Sequence, residues 1–349
     1  MRVALKECVW ETAGDELVLV ADPREAITLA DPGGRVAALL ARLRREPGTA
    51  ADLAAALGES EQDVQEGLDG LASLGLLERA GERSLGDPEL DERHASNLSF
   101  FGSFADLDRS RAAYVRRLAA SHVLVLGVGG GGSQIVPCLA GLGVGALTLV
   151  DSDEVRPRNF SRQFLYRHAD VGRSKVERAA EWVRDFDPAI EVRTVDRWIK
   201  GVDDLTDLTG GVDVIVGGLD GETGSHLWVN EAAMRAGVPL VTGGMMRTQL
   251  IYCSVDPGRS ACLRCNEPEP TPAQRMVRER PFTNALIGPL TMQFGSLVAY
   301  EALRYLTRFE EPCAAGANVV LDLETGLVPE RRPFTRDPGC PVCALAPRR

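Results

Sequence analysis

The 349-residue sequence predicts an α/β fold in two parts: a small winged-helix-like domain, then a Rossmann-like, doubly wound and mainly parallel sheet. Three observations lead to this prediction. Short alternating apolar runs and three amphipathic helical patterns fill the first part of the chain. From residue 123 a strand, a glycine-rich loop, a helix and a second strand follow one another, as in a βαβ unit. Two C-x-x-C pairs then occupy positions 262–265 and 340–343.

The composition excludes several classes of protein. Lys and Arg number 39 against 50 Asp and Glu, and the resulting net charge of -11 repels nucleic acids and anionic membranes. No signal-peptide pattern and no run of 18 apolar residues occurs, so we expect a cytoplasmic protein without membrane segments. Eight cysteines in a chain of this length do not resemble a disulfide scaffold.

Residues 1–86 predict the winged-helix-like domain. A capping box of Ser60 and Asp63 should open its third helix, and residues 87–120 read as a connector. The expected elements are two strands within 9–20, a strand at 25–30, helices at 31–46, 49–57 and from 61, and a wing within 76–85.

This order of elements resembles the PqqD-like domains that recognise leader peptides in peptide-modifying enzymes. In that family an extended leader adds as a strand to an edge of the sheet. A plain winged helix used for dimerisation or DNA binding is the alternative, although the acidic composition disfavours DNA.

The glycine-rich loop predicts a bound nucleotide. Gly127, Gly129 and Gly132 fit G-x-G-x-x-G between a strand and a helix, and Asp151 ends the next strand. Glycines let backbone N–H groups approach a phosphate at a helix N-terminus, and a carboxylate at that distance can accept ribose hydroxyls. The alternative is a glycine-rich turn that only packs the helix on the strand.

The residues downstream favour a triphosphate over a dinucleotide. Asn159, Arg162, Gln163 and Lys175 follow within 24 positions of Asp151. Basic and amide side chains in this density suit phosphates whose charge must be held during a reaction. An NAD-dependent oxidoreductase is therefore a distant alternative.

Taken together, these motifs resemble the ThiF/MoeB/HesA superfamily of ubiquitin-activating-enzyme-like adenylyltransferases, from Val123 to Cys343 within a predicted domain at 121–349. The resemblance implies that ATP and Mg²⁺ are bound and that a carboxylate is adenylated in a homodimer. It implies that the nucleotide is wrapped by Gly127, Gly129, Gly130 and Gly132, with Asp151 on the ribose and Asp153 close by. It further implies that Asn159, Arg162, Gln163 and Lys175 hold the phosphates and that Asp220 binds Mg²⁺, with Arg162, Lys175 and Asp220 as the catalytic set.

One element departs from the family pattern. The family has an R-Y-x-R-Q-like stretch before the glycine strand, whose second arginine reaches the phosphates. The nearest match here, "RHASN", has Arg93 at the first arginine and Ser96 where the second would stand. That contact is therefore absent or made by another arginine.

The four paired cysteines predict a structural zinc site. Cys262, Cys265, Cys340 and Cys343 form two knuckles whose four thiolates suit tetrahedral zinc, with no position left open for catalysis. A redox dithiol is the alternative, but neither pair has a thioredoxin-like context. The family resemblance implies the same metal.

Both parts together predict a tailoring enzyme that adenylates a carboxylate on a ribosomally made precursor peptide, whose leader is captured by the N-terminal domain. The combination resembles the peptide-adenylating enzymes of microcin-C-type systems. Two alternatives stay open: activation of the C-terminus of a ubiquitin-like sulfur-carrier protein, and a catalytically inactive scaffold that presents the precursor to a partner cyclase.

Overall fold

The structure is a computed structural model that describes residues 1–219, 224–267, 272, 276 and 286–347. The chain divides into two compact units, Met1–Arg117 and Leu118–Arg349, called here the N-terminal and C-terminal units. Among the described residues no helix is both long and apolar enough to cross a membrane.

The N-terminal unit contains two small antiparallel sheets and six helices. Strand β1 pairs with β5, and β2, β3 and β4 form the second sheet in that order. Leu17 and Leu19 alternate with exposed or half-buried neighbours on β3, as expected for a strand with one face on the core. The elements are β1 (Val3–Leu5), β2 (Val9–Ala13), β3 (Glu16–Asp22), β4 (Glu25–Ala30), α1 (Arg35–Arg45), α2 (Ala50–Leu57), α3 (Glu61–Ser73), β5 (Leu77–Arg79), α4 (Pro88–Arg93), α5 (Ala95–Gly102) and α6 (Arg111–Ala119).

The predicted strands and helices of this unit are present, and their ends are set by local hydrogen bonds. Helix α1 begins at Arg35 rather than near Asp31, because the Asp31 carboxylate accepts from the N–H groups of Val36 and Ala37 in its first turn. The reciprocal capping box forms at Thr49 and Asp52 of α2. At Ser60 only the serine half of the predicted box is made.

The region expected to form a wing and a connector differs from a simple reading of its sequence. Only three residues of the predicted wing are a strand, β5, and they pair with β1, which the sequence did not predict. Residues 88–93, 95–102 and 111–119 are helical, so most of the polar connector is ordered secondary structure. Asp87 caps the first of these helices through bonds from Glu89 and Leu90.

The C-terminal unit is built on one eight-stranded sheet of order β13-β12-β11-β10-β9-β6-β7-β8. Strands β6 to β10 are parallel, and β11 to β13 extend the sheet in antiparallel fashion. The elements are β6 (His122–Leu126), α7 (Gly132–Leu142), β7 (Ala146–Asp151), α8 (Lys175–Phe186), β8 (Glu191–Asp196), β9 (Val214–Gly217), α9 (Ser225–Ala236), β10 (Leu240–Met246), β11 (Gln249–Val255), α10 (Gly288–Thr307), β12 (Ala317–Asp322) and β13 (Glu330–Pro333).

Strand β6 is the centre of this sheet. Its residues from Val123 to Leu126 are buried, as expected for a parallel strand covered on both faces. The chain leaves β6 toward β7 on one side, while β9 lies on the other side. The order of strands therefore reverses beside β6, and ligands of open α/β sheets bind at the carboxyl ends of strands at such a point.

Candidate active site

The predicted glycine loop lies at this switch point, between the end of β6 and the start of α7. The N–H of Gly127 donates to Val150 O at 2.8 Å, which joins the start of the loop to β7. The loop then leads into the N-terminus of α7 at Gly132. A helix N-terminus offers unpaired N–H groups and a partial positive charge, and both favour an anion.

The four loop glycines predicted to wrap the nucleotide form two pairs with different surroundings. A Cβ on Gly132 would lie 1.8 Å from Gly127 O, and one on Gly127, whose φ is +77°, would lie 2.6 Å from Gly218 O. The fold itself therefore requires these two glycines. A Cβ on Gly129 would find its nearest atom at 3.9 Å, and one on Gly130 at 3.5 Å. Packing within the chain does not require glycine there, so the space at this pair is available to a ligand.

The backbone of the open part of the loop carries hydrogen-bond donors. The N–H groups of Gly129, Gly130 and Gly131 have no acceptor among the residues that the structure describes. Buried or half-buried backbone donors usually have a partner. Three consecutive free N–H groups at a helix N-terminus fit a phosphate.

Asp151 is fixed against the loop by its backbone neighbours. Its Oδ2 accepts from Val128 N at 2.8 Å, and its Oδ1 accepts from Asp153 N at 2.8 Å. Each carboxylate oxygen has a further lone pair, so the group can also accept hydrogen bonds from hydroxyls of a ligand.

Lys175 and Asp153 form an ion pair beside the loop. Lys175 is the first residue of α8, its side chain is 5% exposed, and its Nζ lies 2.6 Å from Asp153 Oδ2. The Asp153 side chain is 57% exposed. A buried ammonium is thus held in place by a carboxylate that faces solvent, and the ion pair can be reached from that side.

Arg162 lies over the open pair of glycines. Its Nε is 3.7 Å from the position that a Cβ of Gly130 would take. Its carbonyl oxygen accepts from Gln134 Nε2 on α7 at 3.1 Å and from Thr291 Oγ1 on α10 at 3.0 Å. Two helices therefore hold the backbone that carries this guanidinium.

Gln163 and Asn159 are buried in the same segment. The Nε2 of Gln163 lies 3.9 Å from the Cβ position of Gly129, and its Oε1 has no hydrogen-bond partner among the described residues. A buried amide with an unused acceptor beside the open glycines fits a polar ligand at the loop. Asn159 organises the turn: its Oδ1 accepts from Arg156 N, and its carbonyl accepts from the N–H groups of Arg162 and Gln163.

Asp220 lies outside the described residues, within 220–223. The residues that flank this segment are bound to the sheet: Gly218 N donates to Leu126 O at 3.0 Å. Across the segment, Ser225 Oγ at the start of α9 donates to Leu219 O at 2.9 Å. The chain therefore enters the segment at the end of β9, next to the end of β6.

Three residues that the sequence reasoning missed support this site: Gln134, Thr291 and Tyr166. The hydroxyl of Tyr166 donates to Val128 O at 2.6 Å, in the middle of the glycine loop. Each of the three acts on a backbone carbonyl of another segment, and no spacing pattern in the sequence reveals such contacts.

The four cysteines predicted to bind zinc lie together, with all their sulfurs within 4.8 Å of one another. The Sγ–Sγ distances are 4.0 Å for Cys262 and Cys265, 3.8 Å for Cys262 and Cys340, and 3.4 Å for Cys265 and Cys343. A tetrahedron with Zn–S bonds of about 2.3 Å has sulfurs about 3.8 Å apart. The cluster therefore fits a zinc ion that has four thiolate ligands.

The surroundings of the cluster fix the knuckles to α9 and shift the pKa of three thiols, with burial raising the pKa of Cys340 and Cys343 and only the pKa of Cys265 lowered. Burial acts to raise the pKa of Cys265, but hydrogen bonds from the backbone of Asp337 and Cys262 outweigh it and lower the pKa to about 7. Asn230 on α9 accepts from Leu263 N, inside the first knuckle, at 3.0 Å. Cys262 and Cys340 also pack in the hydrophobic core together with Val229 of α9.

A model of the ThiF family matches residues 102–342. The chain belongs to the ThiF family. This ThiF-family adenylyltransferase, whose substrate is ATP, is 33% identical over 234 residues to molybdopterin-synthase adenylyltransferase of Salmonella typhimurium, covering 65% of this chain and 88% of that one. It is 30% identical over 232 residues to the sulfur carrier protein ThiS adenylyltransferase of Escherichia coli, covering 65% and 88%.

The fold of this ThiF-family chain matches Escherichia coli MccB over both units. In complex with ATP, MccB aligns with a TM-score of 0.81 over 98% of this chain and 100% of its own, at 19% identity. The microcin C7 biosynthetic enzyme MccB in complex with N-formylated MccA aligns equally well, with a TM-score of 0.80. The predicted α/β fold, with its mainly parallel sheet, its small N-terminal domain and a cysteine cluster that fits zinc, is confirmed.

Proposed function

We propose that this ThiF-family enzyme adenylates a carboxylate on a ribosomally made precursor peptide. The proposal rests on how much of the chain is covered by its sequence relatives and by the fold of MccB. The adenylyltransferases related in sequence cover 65% of the chain, whereas MccB covers 98% and includes the N-terminal unit. MccB is a microcin C7 biosynthetic enzyme that has been solved with N-formylated MccA.

The proposed nucleotide site uses the residues around the glycine loop. The phosphates lie against Gly129 and Gly130, whose side of the loop is open and carries unused N–H groups. Arg162, over Gly130, and Lys175, at the start of α8, carry the positive charge. The full set proposed to bind ATP is Gly127, Gly129, Gly130, Gly132, Asp151, Asp153, Asn159, Arg162, Gln163 and Lys175.

In the proposed reaction an oxygen of the peptide carboxylate attacks the α-phosphorus of ATP. The bond between this phosphorus and the bridging oxygen breaks, and pyrophosphate leaves with the electron pair. The products are an acyl adenylate and pyrophosphate, and no side chain of the enzyme forms a covalent bond. Arg162 and Lys175 stabilise the negative charge that develops on the phosphoryl groups. We propose that Asp220 binds the Mg²⁺ that shares this charge.

The N-terminal unit is proposed to capture the leader of the precursor. Its three-stranded sheet has edges at β2 and β4, and neither strand pairs on its outer side among the described residues. An extended peptide can add to such an edge through main-chain hydrogen bonds. A captured leader raises the concentration of the attached carboxylate at the ATP site.

The remaining parts of the proposal concern assembly and compartment. Zinc held by the four cysteines is structural, because the protein supplies all four ligands. The enzyme acts as a homodimer in the cytoplasm, where reduced thiols persist and ATP is present.

A second candidate is supported by the sequence relatives, one of which is an adenylyltransferase of the sulfur carrier protein ThiS. The substrate would then be the C-terminus of a ubiquitin-like sulfur carrier. A third candidate is a catalytically inactive scaffold that presents a precursor to a cyclase. Ser96, which stands where the family has an arginine, favours this third reading and is exposed on α5.

Arg162→Ala tests the proposed catalysis by ATP–pyrophosphate exchange in the full-length protein with Mg²⁺ and a peptide substrate. We expect exchange to fall at least 100-fold, because a group that stabilises developing charge contributes about that much. Arg173→Ala is the matched control, since Arg173 is exposed and pairs with Glu181 at 3.1 Å. Exchange that survives Arg162→Ala at the level of Arg173→Ala contradicts the role of Arg162, and no exchange in the wild type favours the scaffold.

A further inference from the structure

A buried tyrosine hydroxyl holds the middle of the glycine loop. Tyr166 is 4% exposed, and its OH donates to Val128 O at 2.6 Å. The N–H of the same residue, Val128, donates to Asp151 Oδ2 at 2.8 Å. Both peptide groups of Val128 are thus fixed, one by β7 and the other by the segment that follows Gln163.

In the hydrogen bond between Tyr166 and Val128 O, only the tyrosine hydroxyl can be the donor. A carbonyl oxygen has no proton, so the phenol must be the donor and must stay protonated. Burial, together with the charges of Asp151, Asp153 and Asp170, raises the pKa of Tyr166 well above its usual value. The hydroxyl therefore remains a donor at neutral pH.

Because Val128 lies in the middle of the glycine loop, this bond restricts the conformation of the loop. Val128 stands between Gly127 and Gly129, two residues whose backbone would otherwise sample many conformations. A loop that must be ordered when it binds a ligand loses affinity through the entropy of ordering, and a loop fixed beforehand does not. The carbonyl that Tyr166 holds belongs to the peptide unit whose N–H is that of Gly129, which has no acceptor among the described residues.

We propose that Tyr166 is a positioning residue for ATP: its hydroxyl fixes the peptide unit between Val128 and Gly129, so that the N–H groups of the loop are set for the phosphates. Tyr166 follows Arg162 and Gln163 by four and three residues on one segment. The same bond therefore keeps the arginine segment and the glycine loop in one geometry. This inference rests on the proposed nucleotide site and assigns a residue that the proposal does not include.

Tyr166→Phe in the full-length protein removes only the hydroxyl. We expect the Kd for α,β-methylene-ATP and the KM for ATP to rise about tenfold, the worth of one well-formed hydrogen bond, while the KM for the peptide stays within twofold. Hydrogen exchange of the amides at 127–131 should accelerate in the nucleotide-free variant.

The matched control is Tyr305→Phe, which removes another buried tyrosine hydroxyl, bonded to Ser254 Oγ at 3.0 Å in the same unit. It should lower Tm by about as much as Tyr166→Phe and leave the Kd for the analogue unchanged. Equal Kd values in the two variants at equal Tm overturn the positioning role. A wild type that binds no ATP analogue instead removes the proposed nucleotide site and this inference with it.

Discussion

At Gly132 a side chain would collide with the backbone of Gly127, whereas at Gly129 it would reach no closer than an ordinary van der Waals contact. The two residues belong to one motif, yet the fold needs the first and leaves the second free. Lys175 shows the same distinction between structure and chemistry, since its ammonium is buried but lies against an exposed carboxylate. At the residue scale, packing fixes the groups of the candidate site but leaves them free to contact a ligand.

Replacement by alanine should therefore weaken nucleotide binding at Gly129 and lower the stability of the fold at Gly132. Gly129→Ala should change the free energy of unfolding by no more than about 0.5 kcal/mol, because nothing crowds the new methyl group. It should raise the Kd for ATP at least tenfold, because the methyl group occupies the space of the phosphates. Gly132→Ala should lower the stability by several kcal/mol, about the upper range for single substitutions.

Urea denaturation and equilibrium binding of the ATP analogue measure the two effects separately. An unchanged Kd in Gly129→Ala would mean that the open side of the loop is not where the nucleotide lies.

The sequence predicted those candidate site residues that belong to a motif with fixed spacing. Gly127, Asp151 and Lys175 are of this kind, and the structure brings them to one edge of the sheet. It did not predict Tyr166 or Thr291, because each acts on the carbonyl of a residue far along the chain. Such contacts arise from packing and leave no periodic signal.

At the scale of elements, α9 joins the cysteine cluster to the segment that contains Asp220. Its first residue, Ser225, bonds to Leu219 across that segment, and Asn230, one and a half turns later, bonds to the first knuckle at Leu263. Beyond the second knuckle, a Cβ on Gly237 at the end of α9 would lie 3.1 Å from Pro347. The cluster therefore holds the tail of the chain on one helix.

Loss of a cysteine ligand should loosen this helix as well as release the metal. In Cys340→Ser we expect less than one zinc per chain, a Tm lowered by several degrees or more, and faster hydrogen exchange in α9 and in residues 340–347, because metal binding supplies folding free energy. Cys138→Ser, on α7, is the control, since this thiol is not part of the cluster. Wild-type exchange rates in a zinc-free Cys340→Ser protein would contradict the coupling.

The ends of elements were harder to predict than their existence. A short strand such as β5 gains its stability from its partner β1, and three residues carry too little pattern to reveal that pairing. The helices between 88 and 102 have only six and eight residues, too few turns for an apolar stripe to stand out, so their sequence resembles a connector. Strands β6, β7 and β9 of the C-terminal unit were predictable because these buried parallel strands are nearly continuous apolar runs.

At the scale of the whole molecule, one chain joins two compact units for which we propose separate tasks. The C-terminal unit contains most of the ThiF-family match, the proposed ATP site and the four-cysteine cluster, and the proposed activation of a carboxylate belongs to it. The N-terminal unit lies almost entirely outside that match, and its presence is what favours the proposed peptide substrate over a sulfur-carrier protein. We therefore expect the choice of substrate to depend on both units.

The most direct test of this account is ATP–pyrophosphate exchange by the full-length protein with precursor peptides encoded beside its gene, each made with a free C-terminal carboxylate and as the C-terminal amide. We predict exchange that requires a peptide, requires its free carboxylate, and falls when the leader is removed. Exchange supported only by a small diglycine-ended carrier protein, or unaffected by the leader, would contradict the account.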